Sequence, residues 1–421
     1  MDLGGQWVGP ESQQTHIWQL LRRFSISTHP QRYAGKRILD LGRSGIDLIF
    51  YNSDIPSGLG LVALLVTQIF LWWVDLSVYF RLKWKIWAAP VTSSVLSQFK
   101  QLLRWIPVSE TRKAAPLALA GTLVRGVFGA EACKLSWPHF LRYVSSAGGV
   151  ERLATIRNGF QESVIDGGAQ QLCKYLAREI QSNGGCILHN ETVVRISKQG
   201  DELFLIECLS GANFNATHIV FAIPPAKKAE IQFQDHPDFC QKQLSIHKKA
   251  RMGCIIKIVL CYETAFWLER GFSGEVICDP SLEAPVFNVY DHTINGHPKL
   301  VCFINGDMAE KWSKRAHTER KQAVLSQLVG WYGEEAASPN EYLEKDWVAD
   351  VFTGGCPVGC FPPDTDNETL DLLSKPSGRL FWAGTETADI CQGFMSGAVQ
   401  SGERAANQLI ADVKRHDISE K

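Results

Sequence analysis

Near its end the chain reads "GRLFWAGTETADICQGFMSGAVQSGERAANQLIADVKR", residues 378–415. An apolar strand closes at Ala383-Gly384, a turn of small and hydroxyl residues follows, and a helix studded with Gly, Ala and Ser is expected to begin near Gly393. Few sequences can do this unless the helix lies close against a sheet, so the segment commits this part of the chain to packed strand-plus-helix architecture. Two uses of the small residues are open. A helix N-terminus offers unpaired N–H groups and a positive dipole end, and Gly393 and Gly397 remove side chains that would hold a polar ligand away. Equally, small residues simply let a helix approach a sheet.

The rest of the chain fits the same class. Strand-like runs recur at 217–223, 254–262, 299–306 and 378–384, and helical patterns fall at 168–185, 319–333 and 396–415. Interleaving of this kind predicts an α/β protein, with a mainly helical insertion over roughly 59–163. A length of 421 residues with 45% apolar content is enough for two domains. Lys+Arg 43 against Asp+Glu 44 gives a net charge of -1, and no basic stripe suits a phosphate backbone, so nucleic acid is an unpromising partner. Twelve cysteines are scattered without a C-x-x-C, which argues against a zinc site or a disulfide framework and for a reducing compartment. The uncharged stretch "GLGLVALLVTQIFLWWV" (58–74) approaches membrane-spanning length, but Gly58, Gly60, Thr67 and Gln68 interrupt it and Asp75 ends it; a buried core helix is expected there.

Two further segments concentrate Gly and Pro around a single larger residue. "DLGGQWVGP" (2–10) sets Gly4, Gly5 and Gly9 about Trp7, and "FTGGCPVGCFPP" (352–363) does the same about Cys356. Turns this dense in Gly and Pro are costly to order and usually shape a site. Lys257, in "CIIKIVL", is a lone charge inside an apolar strand, either snorkelling at an edge or buried with a role. No Ser–His–Asp set, metal-ligand spacing or close carboxylate pair competes for chemistry, which suits a reaction driven by an organic cofactor.

The segments "DLGGQWVGP", "NGFQESVIDGGAQQL", "THIVFAIPP", "MGCIIK", "TGGCPVGCFPP" and "LFWAGTETA…GFMSGAVQSGERAA" together resemble the flavin-containing monoamine oxidase family, in that family's order and spacing across nearly the whole chain. The resemblance implies a discontinuous Rossmann-like domain for flavin adenine dinucleotide (FAD) from residues 1–30, 164–246 and 350–412. A mixed-sheet and helical substrate domain would comprise 31–163 and 247–349, with a polar tail at 413–421. It also implies site residues. Gly4, Gly5 and Trp7 would lie along the ribityl chain and ring, and Val193 would meet the adenine. Gly384, Thr385, Glu386, Gly393 and Met395 would hold the ribityl and pyrophosphate end. Cys356, with Trp347 nine residues earlier, matches a cysteine that carries the flavin covalently in some members; Pro357 follows it where those members have tyrosine, so covalent and non-covalent attachment are both open. Phe394 would form one wall of an incomplete aromatic cage. Lys257 would bridge through water to the flavin N5, and Gln161 would face the substrate.

The implied activity is oxidative deamination of a primary amine by O2, with a small amine as partner and a homodimer compatible with the reading. A polyamine or amino-acid oxidase, or a catalytically silent binding homologue, are the alternatives. The family pattern places a G-x-G-x-x-G βαβ unit within roughly sixty residues ahead of the segment matching 2–10, so weak flavin binding or none is expected of residues 1–421 alone. "GLGLVA" (58–63) has the glycine spacing but follows Pro56 and Ser57 rather than a strand. The polar ending "ADVKRHDISEK" carries no apolar anchor of the kind that holds some relatives on a mitochondrial membrane, and a soluble intracellular protein is expected.

Overall fold

The largest sheet has seven strands, ordered Glu341–Asp346, Ile255–Cys261, Lys299–Asn305, Asn288–Asp291, Phe272–Cys278, Lys36–Asp40 and Ile49–Tyr51. Its neighbours are antiparallel except for Phe272–Cys278 beside Lys36–Asp40, which run parallel. The coordinates are a computed structural model that describes residues 2–42, 48–52, 56–84, 93–200, 203–234 and 237–419. Ile255–Cys261 is a central strand, apolar on both sides, because both of its faces are covered. Ile256, Ile258 and Leu260 point into a core closed by Met308, Trp312, Val324, Leu328 and Tyr332. The last three come from the helix His317–Tyr332, where buried Arg320, Val324, Leu328 and Trp331 recur at helical spacing. Ile255 and Val259 point the other way, and so, by strand alternation, does Lys257.

A second sheet of four strands runs Gln232–Gln234, Val193–Gln199, Leu203–Cys208 and Asn213–Ala216. Close to it, Leu380–Trp382 pairs in parallel with Ile219–Phe221 as a two-stranded unit. The three residues of Leu380–Trp382 are fully buried, whereas Val220 and Ile223 remain exposed. The long helix Met395–Ser419 follows, starting two residues after the Gly393 expected from sequence. A small third sheet brings Trp7–Val8, Ser163–Ile165 and Thr28–Pro30 together, fixing the N-terminal glycine segment beside residues 160–165. The expected α/β class is observed: each strand and helix anticipated from sequence forms within a few residues, and the described residues between 61 and 154 are mainly helical.

That helical region supplies a correction. The apolar run at 58–74 belongs to the helix Leu61–Trp84, which was expected to be a buried core helix, yet only 28% of its most apolar stretch, Leu61–Phe80, is buried. Val66, Phe70, Val74 and Val78 face inward, the last three in one cluster with Phe99, Phe128, Trp137 and Phe140, and Trp73 stacks on Trp137 at 4.8 Å. Leu61, Leu65, Ile69, Trp72 and Leu76 face outward. Near-continuous hydrophobicity had hidden the difference between these faces. Among the described residues this is the one helix long and apolar enough to cross a membrane. Gly58 of "GLGLVA" lies against Ile49.

The two faces are separable by experiment. Phe70→Ala removes a ring that is 5% exposed and is expected to cost about 3–5 kcal/mol in urea unfolding. Trp72→Ala, at a position 65% exposed, is expected to stay within about 0.5 kcal/mol.

Candidate active site

The face of the large sheet that carries Lys257 forms one wall of an internal cavity of about 350 Å3, within the range of small-molecule sites. Register explains which side chains meet there. Lys257 lies opposite Phe303, Ile255 opposite Asn305, and Asn288 opposite Phe303 on the next strand, so Ile255, Lys257, Asn288, Tyr290, Phe303 and Asn305 share one surface. Leu119, Leu123 and Val127 from the helix Glu110–Phe128 close another side. That helix ends at Gly129 with φ +61°, where a Cβ would lie 2.9 Å from the carbonyl oxygen of Cys356; only glycine lets the helix end against the Cys356-Pro357 segment.

Lys257 is 2% exposed. Its ammonium donates to the carbonyl of Gly4 at 2.8 Å and to Oε1 of Gln6 at 2.5 Å, and sits 5.8 Å from the Phe303 ring centre. Burial lowers its pKa from 10.5 to about 8, partly opposed by the charge of Asp2. The glycine-rich N-terminal segment is therefore tied to the middle of the sheet. Trp347 donates from Nε1 to the carbonyl of Leu3 at 2.8 Å, and Trp7 packs edge-on to Tyr290 at 5.2 Å while donating to Gln31. Burial also pushes the Cys356 thiol up to about 12.

Gly4, Gly5, Trp7, Gln161, Lys257, Trp347, Cys356, Gly393, Phe394 and Met395 all line this single cavity. Phe394 meets Phe160 edge-on at 4.5 Å, and Gly393, at φ +81°, leaves no room for a side chain because a Cβ would come within 2.2 Å of the Tyr143 hydroxyl. Four other sequence candidates lie off the cavity wall. Thr385 donates from Oγ1 to the carbonyl of Phe394 at 3.1 Å, and Glu386 accepts from the Gly359 amide at 2.8 Å, so both brace segments that do reach the cavity. Gly384 follows Ala383, whose carbonyl accepts from the buried Lys228 ammonium. Val193 belongs to the four-stranded sheet and packs with Trp382 and Phe221. Sequence reasoning passed over Gln6, Tyr143, Tyr290, Asn288 and Asn305. Gln6 stood inside a quoted motif, and the two asparagines were lone polar residues in the apolar runs "VFNVYD" and "CFING".

Whether these residues suit a flavin can be judged from the cavity itself. A Cβ on Gly5 would meet nothing within 4 Å, and Nε2 of Gln6, a side chain 1% exposed, has no hydrogen-bond partner. A flat ring with polar edges answers both features, between Trp347, Cys356, Lys257 and the Gly4–Gln6 backbone. Among the described residues no group of His, Cys, Asp or Glu is placed to hold a metal.

Residues 78–410 match the sequence pattern of the flavin containing amine oxidoreductases. The chain belongs to that family. Its cofactor is accordingly a flavin and its class that of an amine oxidase. A probable flavin-containing monoamine oxidase A of Dictyostelium discoideum is 28% identical over 414 residues, covering 97% of this chain and 86% of that protein. A putative flavin-containing monoamine oxidase of Mycobacterium tuberculosis is 29% identical over 434 residues with the same coverage. The solved cyclohexylamine oxidase from Brevibacterium oxydans superposes with a TM-score of 0.84 at 24% identity, over 98% of this chain and 88% of that one, and so shares the fold.

The depressed Lys257 pKa makes a prediction with a definite sign. Below pH 8 the folded and unfolded chains both hold the proton, and burial of the charge destabilises the fold. Between about 8 and 10.5 only the unfolded chain holds it, so stability rises with pH through this window. The unfolding free energy of the wild type minus that of Lys257→Met is expected to climb by on the order of 3 kcal/mol across it. Chemical denaturation of both proteins at several pH values provides the measurement, and a flat difference would contradict a buried ammonium.

Proposed function

We propose that the chain oxidises primary monoamines with no second charged group: amine, O2 and water give an aldehyde, ammonia and hydrogen peroxide. One observation carries this choice among amine oxidases. The cavity is walled by aromatic and aliphatic side chains, and among the described residues lining it Lys257 is the only charged group. A polyamine would bury a second ammonium with no carboxylate opposite it, and an amino acid would bring a carboxylate with no arginine to receive it. A neutral monoamine needs neither.

Gly4, Gly5, Trp7, Lys257, Trp347, Cys356, Gly393 and Met395 would hold the flavin, which supplies a two-electron acceptor for the amine's α-carbon hydride when bound. The protein's own contribution is orientation and dryness. Phe394 and Pro357 both line the cavity and present an apolar slot through which an unprotonated amine can pass, while an ammonium would lose its hydration there without compensation. Gln161 places an amide beside this slot. Lys257 keeps a proton-bearing nitrogen on the cavity wall, fixed in direction by Gly4 and Gln6. Residues 1–30, 164–246 and 350–412 then form the cofactor side, and 31–163 with 247–349 the substrate side. The partly buried Cys356 thiol, kept neutral by its surroundings, favours a non-covalent flavin.

In the presence of FAD, hexylamine or benzylamine is expected to release peroxide and aldehyde in equal amounts. Failure of every alkyl- and arylamine to do so would leave a silent homologue. kcat/KM is expected to rise with pH toward the amine's own pKa, as the unprotonated fraction grows. Phe394→Ala should lower kcat/KM about tenfold to a hundredfold, since a mobile substrate spends less time in the reactive pose. After acid precipitation the flavin is expected in the supernatant; flavin in the pellet that disappears in Cys356→Ala would establish a covalent link instead.

A further inference from the structure

Two side chains on the sheet wall of the cavity are buried and incompletely paired. Asn305 is 1% exposed and Asn288 8%. Asn305 donates from Nδ2 to the backbone carbonyl of Arg125 at 3.4 Å, which fixes the orientation of its amide because a carbonyl can only accept. Its Oδ1 then has no donor. Asn288 bonds through Nδ2 to the Tyr290 hydroxyl at 3.2 Å, and its Oδ1 also has no donor. Asn288 lies opposite Phe303, two residues before Asn305, so the asparagines are diagonal neighbours on adjacent antiparallel strands, about 7 Å apart. One small polar group between them can reach both.

A buried amide oxygen left unpaired is a standing cost, and apart from the Lys257 ammonium and the Tyr290 hydroxyl the sheet wall is apolar, so the pair asks for a ligand that donates. The donor is narrowed by charge. With no Asp or Glu among the described residues lining the cavity, an ammonium there would be uncompensated, whereas a hydroxyl is neutral. A hydroxyl has one proton and also accepts, so it can donate to Asn305 Oδ1 and accept from Asn288 Nδ2 when the Asn288 amide is turned to take the Tyr290 hydroxyl proton on its Oδ1. Lys257 is diagonal to Asn305 on the adjacent strand, about 7 Å away, and two strands from Asn288, roughly 10 Å away, hence the pair lies along the sheet from the wall where Lys257, Trp347 and Cys356 converge.

We propose that Asn288 and Asn305 form a recognition subsite for a hydroxyl group at the far end of the amine substrate. This rests on the amine-oxidase reading above and names the substrate class within it: amino alcohols or hydroxylated amines in preference to amines of the same length ending in a methyl group or a second amine.

Hexylamine, 5-aminopentan-1-ol and 1,5-diaminopentane have equal numbers of non-hydrogen atoms and differ only in the terminal group. Peroxide release by the FAD-supplied protein is expected to give a kcat/KM for 5-aminopentan-1-ol about tenfold above that of hexylamine, with 1,5-diaminopentane lowest. Asn305→Leu and Asn288→Leu should each pull the alcohol-to-hexyl ratio toward one, with far-UV circular dichroism like the wild type's showing that the variants fold. Asn288→Asp, which keeps an acceptor for Tyr290, should move 1,5-diaminopentane to the top. Equal efficiency of the alcohol and hexylamine in the wild type, the result expected if ordered water alone fills the subsite, overturns the proposal, as does a preference that survives both leucine variants. Calorimetric titration of the same three amines into the protein separates the two layers of inference. If no amine is oxidised the catalytic reading fails, yet tighter binding of 5-aminopentan-1-ol than hexylamine, lost in Asn305→Leu, still upholds the subsite; equal binding sinks it.

Discussion

The architecture of the cavity depends on one buried ammonium. Lys257 lies on the second strand of a seven-stranded sheet and spends its hydrogen bonds on the Gly4 carbonyl and the Gln6 side chain, more than 250 residues away in sequence. A charge this deep is strongly penalised by lost hydration, and the penalty is tolerable only with acceptors held in place. The N-terminal glycines supply them, because a main chain without side chains can come within hydrogen-bonding distance of the sheet. The same contact brings Trp7 against Tyr290 and Leu3 under Trp347, so one interaction closes the cavity's floor and aligns its rim.

The remaining walls follow from packing around that contact. The Glu110–Phe128 helix can end beside Cys356 only through the left-handed backbone of Gly129, and Phe394 is positioned from behind by the Thr385 hydroxyl on its carbonyl and by the edge of Phe160. Thr385 and Glu386, expected from sequence at the ribityl and pyrophosphate end of a flavin, stand one contact behind the cavity wall and hold Phe394 and Gly359. The result is a largely apolar room in which Lys257 is the only charged side chain among the described residues lining it.

Much of this was legible beforehand. The strand at 254–262 declared itself by unbroken apolarity, its lysine by contrast with that background, and the helix at 396–415 by its small residues at helical spacing. The family resemblance rested on glycine and proline turns whose order along the chain survives even where identity is low. Other features were hidden for physical reasons. The helix at 61–84 is apolar almost all round, and periodicity cannot reveal which face is covered when every face looks alike. Asn288 and Asn305 are ordinary residues one at a time; they become a pair only because antiparallel register sets them diagonally.

The sequence by itself determined the element types, the α/β class, the family and most of the side chains that meet in the cavity, because local periodicity and turn chemistry act over a few residues. Tertiary structure alone decided which polar groups face one another across the cavity, which of the expected contacts stand behind its wall, and which face of the apolar helix meets solvent. Each of these turns on distances between segments far apart in the chain, set by strand register and packing that no local window of sequence encodes.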